Sequence, residues 1–456
     1  MVVGDRGPTA RLIRRLVRPR PMTRPSVPRV AYVSPMPPAA SGIATYSKAV
    51  LEGIDRIGLR QRYPIDVVWP IKPAHYATIP AYRLGIYHLG NNIDFHADIY
   101  RLAVYNPGLV VLHDLGLDDL IRALVGRGEP LGHRARREAI TLAPRMSLAE
   151  ALANDSLRRP WCAHVARHAR GIIVHSEFCR RYLHDFGCRT PVFVVPHPVA
   201  EREADMRRAE PRGRTFRRRL GLGDDDVLVV APGDLNRAKR LDLVLAAIRR
   251  LDSVPPVHVA LVGRRIHRYD VYRMVAASGI GDQVTVASDV SDDDFRAWLF
   301  AADMVVDLRH PHRGEVSGSL MRAMQAGRPS IVSAVGTYLD VPDDLVLRVA
   351  PGPPDPAELG AALRRLIEDR DLRVAIGERA RAHIARLAAK DATARGYASA
   401  IESTLRLALD PGRRALARWA GALADLGVTD RHLDQAYGLS YPRALEELAP
   451  PAGPGG

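Results

Sequence analysis

The strongest constraint on the fold of this chain is an order of patterns that repeats. From Arg29 onward a short β-branched or aliphatic run is followed by a Gly/Pro-rich turn and then by a stretch whose apolar residues recur at helical spacing. Arg29-Val-Ala-Tyr-Val-Ser34 predicts a first strand and Gly42 to Ile57 the helix after it. Further strands are predicted at Ile65 to Trp69, Leu84 to Leu89, Leu109 to His113, Gly171 to His175 and Val192 to Val195, with helical stretches between most of them. Alternation of this kind implies a parallel, doubly wound sheet, because parallel neighbours need a crossover and a helix is the usual one.

The pattern breaks and then restarts. Glu201 to Arg219 is dense in charge and interrupted by Pro211 and Gly213, so residues 201–222 read as a connection between domains. The second series has predicted strands at Val227 to Ala231, Val257 to Val262, Gln283 to Ala287, Met304 to Asp307 and Ser330 to Ser333, with helices at Leu241 to Leu251 and about Ser319 to Gln325. Asp355 to Leu387 is helical in period, and a long helix from Asp391 to Leu409 ends before Pro411. The 456 residues exceed what one core accommodates. The expected division is therefore a basic leader over 1–28, a first Rossmann-like domain over 29–200 and a second over 223–390. A crossing helix over 391–410 follows, then a helical extension with a Pro/Gly-rich, disordered end over 411–456.

Composition narrows the class. A chain 47% hydrophobic and 26% charged has ample apolar surface for packed cores. Only four of the 66 basic residues are Lys, and the net charge of +15 is spread along the chain instead of forming a stripe interleaved with aromatics. Nucleic acid is thus not the expected partner; phosphate-bearing ligands or anionic lipid suit the charge better. Cys162, Cys179 and Cys188 have no CxxC spacing, which argues against a disulfide framework or a zinc site. No apolar run approaches the roughly 18 residues of a membrane span, and the leader lacks a signal-peptide core. A cytoplasmic protein is expected. Within the leader, Arg11 to Arg18 sets Leu12, Ile13, Leu16 and Val17 opposite arginines, a face fit for peripheral contact with an anionic inner membrane surface, unless the leader is disordered or the true start is Met22.

The chemistry concentrates in the second series. Binding a nucleotide diphosphate requires cations for the diphosphate and amides at a helix start for its oxygens. After the first strand of this series comes Gly233-Asp-Leu-Asn-Arg237-Ala-Lys239-Arg240, and after a later one Arg309-His-Pro-His-Arg-Gly-Glu315-Val-Ser-Gly-Ser, with Ser317, Gly318 and Ser319 at a helix start. Both loops sit at carboxyl ends of strands, where open sheets bind ligands. His164 and His168 are four apart, but Val165 follows where a zincin carries Glu, so no metal site is read there. His88 and His96 fall on the cleft side of the first domain, open to acceptor binding or to packing.

On these motifs the sequence resembles the group 1, or family 4, glycosyltransferases, which have the GT-B fold of two facing Rossmann-like domains. The resemblance runs from about Arg29 to Leu405 and is strongest in the second domain. Gly233 to Lys239 is similar to the family's Gly-Arg and Lys pattern at a helix start, and Glu315 to Pro329 to its Glu-Ala-Met-x-x-Gly-x-Pro loop. Ser34-Pro-Met-Pro-Pro-Ala-Ala-Ser-Gly42 resembles the glycine loop after strand one, and His113-Asp114 the His at a cleft-side strand end. Two positions depart: Asp234 stands where the family has Arg, and Arg322 where it commonly has the Glu that holds the ribose. A subgroup with Gly-Glu-x-Ser-Gly and Arg-Ala in these places is similar to this chain. The resemblance implies transfer of a sugar from a nucleotide-diphosphate donor to a glycan, lipid-linked or other acceptor, with retention and without metal or cofactor. It implies that His113 and Glu315 contact the donor sugar and that Gly42, Arg237, Lys239, Ser317, Gly318, Ser319 and Arg322 bind the donor. A catalytically silent GT-B subunit and a nucleotide-sugar epimerase remain alternatives at this point.

Overall fold

The computed structural model describes residues 27–142, 157–199, 203–251, 256–266, 269–351 and 355–407. All but the last two residues of the leader, including the Arg11 to Arg18 face, lie outside the described residues, as does the 411–456 extension.

Twelve strands are described, in two sheets. The first sheet contains β1 (Val30–Val33), β2 (Ile65–Val68), β3 (Leu84–Leu89), β4 (Leu109–Leu112), β5 (Gly171–Val174) and β6 (Val192–Val194), ordered β2-β1-β3-β4-β5-β6. The second contains β7 (Val227–Pro232), β8 (Val257–Gly263), β9 (Val284–Ser288), β10 (Met304–Asp307), β11 (Ser330–Ser333) and β12 (Leu347–Val349), ordered β12-β11-β10-β7-β8-β9. Every neighbouring pair is parallel. β1, β3, β4, β5 and β7 are buried along their whole length, because helices cover both faces, and this is why they read as unbroken apolar runs. Burying each Val, Leu or Ile contributes about 1.5–3 kcal/mol, so the strands anchor the two cores. β12 was not foreseen: three residues with Arg348 in the middle give no period to read.

The strand order places the ligand sites. The chain reverses its direction of travel between β1 and β3 in the first sheet and between β7 and β10 in the second. Loops leaving adjacent strands at such a point diverge and open a crevice. The crevices face each other: Leu115 and Gly116 after β4 donate backbone N–H bonds of 2.7 and 3.0 Å to the Arg313 carbonyl after β10. The Cys179 thiol donates to the Gly314 carbonyl at 3.1 Å, and the Phe178 amide to Asp340 at 2.6 Å.

The connection expected over 201–222 contains regular structure. Glu203–Arg219 is a 17-residue helix with Pro211 inside it. Its buried residues are Met206, Ala209 and Gly213, with the half-buried Phe216 continuing the face onto Trp298, and it packs on the helix Asp292–Ala301 so closely that a Cβ on Gly213 would lie 2.7 Å from the Ala297 carbonyl oxygen. The burial of that narrow face outweighs the hydrogen bond lost at Pro211. The Asp355 to Leu387 stretch is two helices, Pro356–Glu368 and Arg370–Ala389, divided at Asp369, whose carboxylate caps the second by accepting from the Leu372 amide at 2.8 Å. Ala392–Arg406 then returns to the first domain, where Tyr397, Ala400 and Ile401 join Val30, Tyr46 and Ile54 in one core.

Candidate functional site

The second-domain half of the site is built around one carboxylate. Asp307 ends β10 and is fully buried, and Lys239 brings its ammonium against it from the 3-10 turn Arg237–Lys239 beyond β7. The pair therefore straddles the reversal between β7 and β10. Asn236 sets up the turn by capping the Lys239 amide at 3.3 Å, and Arg240 takes the left-handed conformation that releases the next helix. Ser317 donates its hydroxyl to Asp307 at 2.5 Å and Tyr338 donates at 3.0 Å, so the carboxylate is fully partnered. Burial alone raises Asp307, but Lys239 and Arg309 outweigh it and hold the group below the usual carboxylate range. Lys239 is itself lowered by burial, with Asp307 opposing.

Ser317 also caps the helix Gly318–Gln325, accepting from the Leu320 amide at 3.2 Å. A Cβ on Gly318 would meet nothing within 4 Å, and the same holds for Gly42 at the start of Gly42–Arg56. Two helix starts, one from each domain, thus have open space before them. Gly233, with φ +112°, forms the floor: a Cβ there would lie 2.8 Å from the Lys239 ammonium and 2.9 Å from the Ser319 hydroxyl.

Glu315 is held by two residues of its own loop and by Thr337 from the turn after β11. Arg309 donates to it at 2.5 Å, the Arg313 amide at 2.7 Å, and Thr337 fixes its carbonyl at 2.7 Å. His312 accepts from the Gly314 amide at Nδ1, so its proton is on Nε2, 3.1 Å from Thr337, and the ring is neutral despite its nearness to Glu315. Across the cleft stands Asp114, which accepts from the Asn91 amide at 2.9 Å and whose carboxyl is pushed up to about 7, first by burial and then by the Glu315 charge.

The first-domain half is a row of imidazoles. His88, His113, His175 and His197 lie at or just beyond the carboxyl ends of β3, β4, β5 and β6, four strands that are neighbours in the sheet. The Tyr46 ring packs against all four, at centroid distances of 5.9, 4.5, 5.1 and 5.1 Å. His88 Nδ1 and His113 Nε2 are 3.1 Å apart. His175 and His197 donate from Nδ1 to the Val195 and Pro198 carbonyls at 2.9 and 3.0 Å, which leaves each Nε2 as an acceptor. Burial lowers every one, His197 to about 3 and His175 to about 4, so the row is neutral at pH 7. The facing surfaces thus combine a charged wall in the second domain with an uncharged hydrogen-bonding wall in the first. Among the described residues no group of three or more His, Cys, Asp or Glu could hold a metal ion.

Residues 213–383 match the family model described as Glycosyl transferases group 1. This match covers most of the second domain. Among curated proteins, the D-inositol 3-phosphate glycosyltransferase of Salinispora arenicola is 29% identical over 178 residues, which are 37% of this chain and 39% of that protein. The one from Geodermatophilus obscurus is 30% identical over 192 residues, 39% and 41% of the respective chains. The chain thus spans about two fifths of the length of these curated relatives. Among solved structures, sucrose-phosphate synthase from Thermosynechococcus elongatus has a TM-score of 0.58 at 17% identity, covering 82% of this chain and 98% of that one. Anabaena HepE in complex with UDP and glucose has a TM-score of 0.56 at 15% identity, covering 82% and 100%. The fold is GT-B, with two facing Rossmann-like domains.

Within residues 213–383, Lys239 and Ser319 meet at Gly233, Ser317 and Gly318 start the helix that carries Ser319, and Glu315 lies two residues before Ser317 in the same loop. Gly42 and His113 stand on the opposite wall. Arg237 is exposed on the rim, on the side of Tyr269. Arg322 lies over the Phe295 ring, its guanidinium carbon 5.3 Å from the centroid. Sequence reasoning missed Asp307, Tyr338 and Arg309, as well as Asp114. Its available signal was the Asp at the end of a strand flanking the reversal. His96 does not enter the row; it is buried and donates from Nδ1 to the His88 carbonyl at 3.1 Å.

Proposed function

We propose that this chain transfers a sugar from a nucleotide-diphosphate donor to a hydroxyl of a glycan, lipid-linked or other acceptor, retaining configuration and using no metal ion or cofactor. The observation that carries this reading is the Gly233, Lys239 and Ser319 floor beneath the open start of the Gly318–Gln325 helix. Backbone amides, a helix dipole and an ammonium meet there, which is the equipment for a leaving diphosphate. Lys239, Arg237 and the amides near Gly318 take its developing charge, and Ser317 holds the helix start in place. Arg322 completes the donor-binding set. His113 and Glu315 contact the donor sugar, with neutral imidazole and carboxylate accepting from its hydroxyls.

The acceptor hydroxyl attacks from the face that the diphosphate leaves, so no covalent intermediate is required. The solved HepE complex with UDP and glucose, on the same fold, supports a nucleotide-sugar donor. A cytoplasmic site of action is part of the reading, in keeping with three unpaired cysteines. No helix among the described residues is long and apolar enough to cross a membrane.

The test is thermal stabilisation by UDP, GDP, ADP and their sugars, followed by donor turnover with and without a chelator. One nucleotide family should raise the melting temperature by mass action, and turnover should survive chelation. Stabilisation by none of them removes the reading. Stabilisation without turnover or donor hydrolysis favours a silent GT-B subunit, a reading that Asp234 and Arg322 in place of the family's residues keep open.

A further inference from the structure

Three cations of the donor wall are already engaged by carboxylates, while Arg237 stands exposed on the rim. Lys239 faces Asp307, Arg309 faces Glu315, and Arg313 reaches Asp118 at 3.1 Å. A diphosphate arriving at this wall meets positive charge that buried or partly buried carboxylates have largely balanced.

Arg264 also pairs with a carboxylate, Asp234, and lies near enough to act on Asp289, but it is more exposed than these three. It follows Gly263 at the end of β8, and its side chain is 48% exposed. Asp234 holds one edge of the guanidinium, accepting from Nε at 3.2 Å and from one terminal nitrogen at 2.8 Å. The other terminal nitrogen donates to the Ala40 carbonyl at 2.7 Å, in the loop that leads to Gly42 on the first domain. These bonds use three of the five N–H groups. Among the described residues no hydrogen bond takes the remaining two, one on each terminal nitrogen, and the half-exposed guanidinium has these left to donate to a phosphate.

The position is the right one for the donor. Gly233 donates its amide to the Val262 carbonyl at 2.8 Å, so the loops after β7 and β8 run side by side. The Asp234 carboxylate also lies close enough to act on the Lys239 ammonium. Arg264 therefore joins Asp234, in the loop after β7, to Ala40, in the first-domain loop that leads to Gly42.

We propose that Arg264, oriented by Asp234 and docked on Ala40, is a further cation that binds the donor's diphosphate beside Lys239 and Arg237, supplying from the β8 loop the arginine that relatives carry at position 234. This rests on the nucleotide-diphosphate reading above. It gives Asp234 a role: the carboxylate is a positioning residue for Arg264 and not a loss of function.

The test is calorimetry of UDP, GDP and ADP with the parent, Arg264→Ala, and the double variant Asp234→Arg with Arg264→Ala, beside binding of the matching nucleoside at millimolar concentration by NMR. Arg264→Ala should weaken the diphosphate that the parent binds by roughly ten- to a hundredfold, as expected for a charged hydrogen-bonding partner, and leave the nucleoside unchanged. The double variant should recover most of the loss, because it returns the cation to the β7 loop. Parent-like diphosphate affinity in Arg264→Ala overturns the assignment and leaves the transferase reading standing. Equal loss for nucleoside and diphosphate overturns it too, since that marks a merely structural residue. A parent that binds none of the three nucleotides overturns both.

Discussion

Lys239 shows why a residue picked for its charge has to be judged by its surroundings. It is 5% exposed, and its ammonium compensates a carboxylate with no exposure at all. Lys239→Ala should therefore cost about 3–5 kcal/mol of stability by stranding Asp307, in addition to a turnover loss on the order of a hundredfold. Chemical denaturation separates the two effects; unchanged stability would show that Asp307 is neutral without its partner. Glu315→Gln keeps one acceptor, for Arg309 or for the Arg313 amide, but loses the other and removes the charge that faces Arg309, so stability should fall along with turnover and denaturation must be measured beside activity here too. Asp114 predicts a pH effect. Its folded pKa of about 7 lies well above the ordinary carboxyl value, so the folded state holds a proton that the unfolded state has lost between about pH 4 and 7. Its stabilising contribution is complete below that window and is lost as pH rises through it. Asp114→Asn keeps an acceptor for the Asn91 amide and removes the proton. The variant should melt higher than the parent at pH 8 and match it near pH 4, and an equal difference at both would refute the assignment. The histidine row acts in the opposite sense: its lowered pKa values make acid below about pH 6.5 destabilising, so the comparison must be variant against parent at each pH.

Among the elements, the helix Gly318–Gln325 carries the sharpest prediction. Its first residue has open space where a side chain would go, so Gly318→Val should fold normally while its methyls occupy the position assigned to the phosphate. Nucleotide binding should drop at least tenfold with little change in melting temperature; intact binding would move the phosphate elsewhere. This helix start was legible in the sequence because Ser-Gly-Ser followed by an apolar period is a strong local signal, and the capping bond from the Leu320 amide to Ser317 is the local physics behind it. The strands were legible for a similar reason, since a strand buried on both faces leaves an unbroken apolar run. Glu203–Arg219 was not legible. Its buried residues are three small or flexible ones, and the charge that, with Pro211 and Gly213, suggested only a connection between domains is on its solvent side, as with Arg207 and Arg208 at 76% and 78% exposure. The second-domain hub was half legible. Lys239 and Ser317 belong to motifs, but Asp307 gains its role from a contact 68 residues away in sequence and Arg264 from one 224 residues away. Local pattern contains no information about such pairings.

At the scale of the whole molecule, the end of the described chain supports its beginning. Tyr397, on the crossing helix Ala392–Arg406, is fully buried and its hydroxyl lies 2.8 Å from that of Tyr46, 351 residues earlier. Tyr46 is the ring on which the four histidines rest, so the crossing helix stands directly behind the first-domain wall of the site. Gly53 and Gly396 allow the close approach: a Cβ on Gly396 would sit 2.7 Å from the Val195 side chain, and one on Gly53 3.2 Å from Ala394. Arg56 with Asp391 and Arg62 with Glu402 add ion pairs at the exposed margin, which contribute little. Packing is therefore the main attachment. Tyr397→Ala opens a cavity the size of a phenol and should cost about 3–5 kcal/mol, whereas Tyr397→Phe, which loses only a hydroxyl contact, should cost about 1 kcal/mol. The loss should appear in the first domain, although the substituted residue follows the second domain in the chain. Calorimetric unfolding should show an early transition for the first domain with the second-domain transition in place. Donor-sugar turnover should fall before nucleotide affinity does, because His113 rests on Tyr46 while the phosphate floor belongs to the other sheet. An equal downward shift of both transitions would mean that the two domains unfold as one unit, and no shift would mean that the crossing helix does not hold the first-domain wall.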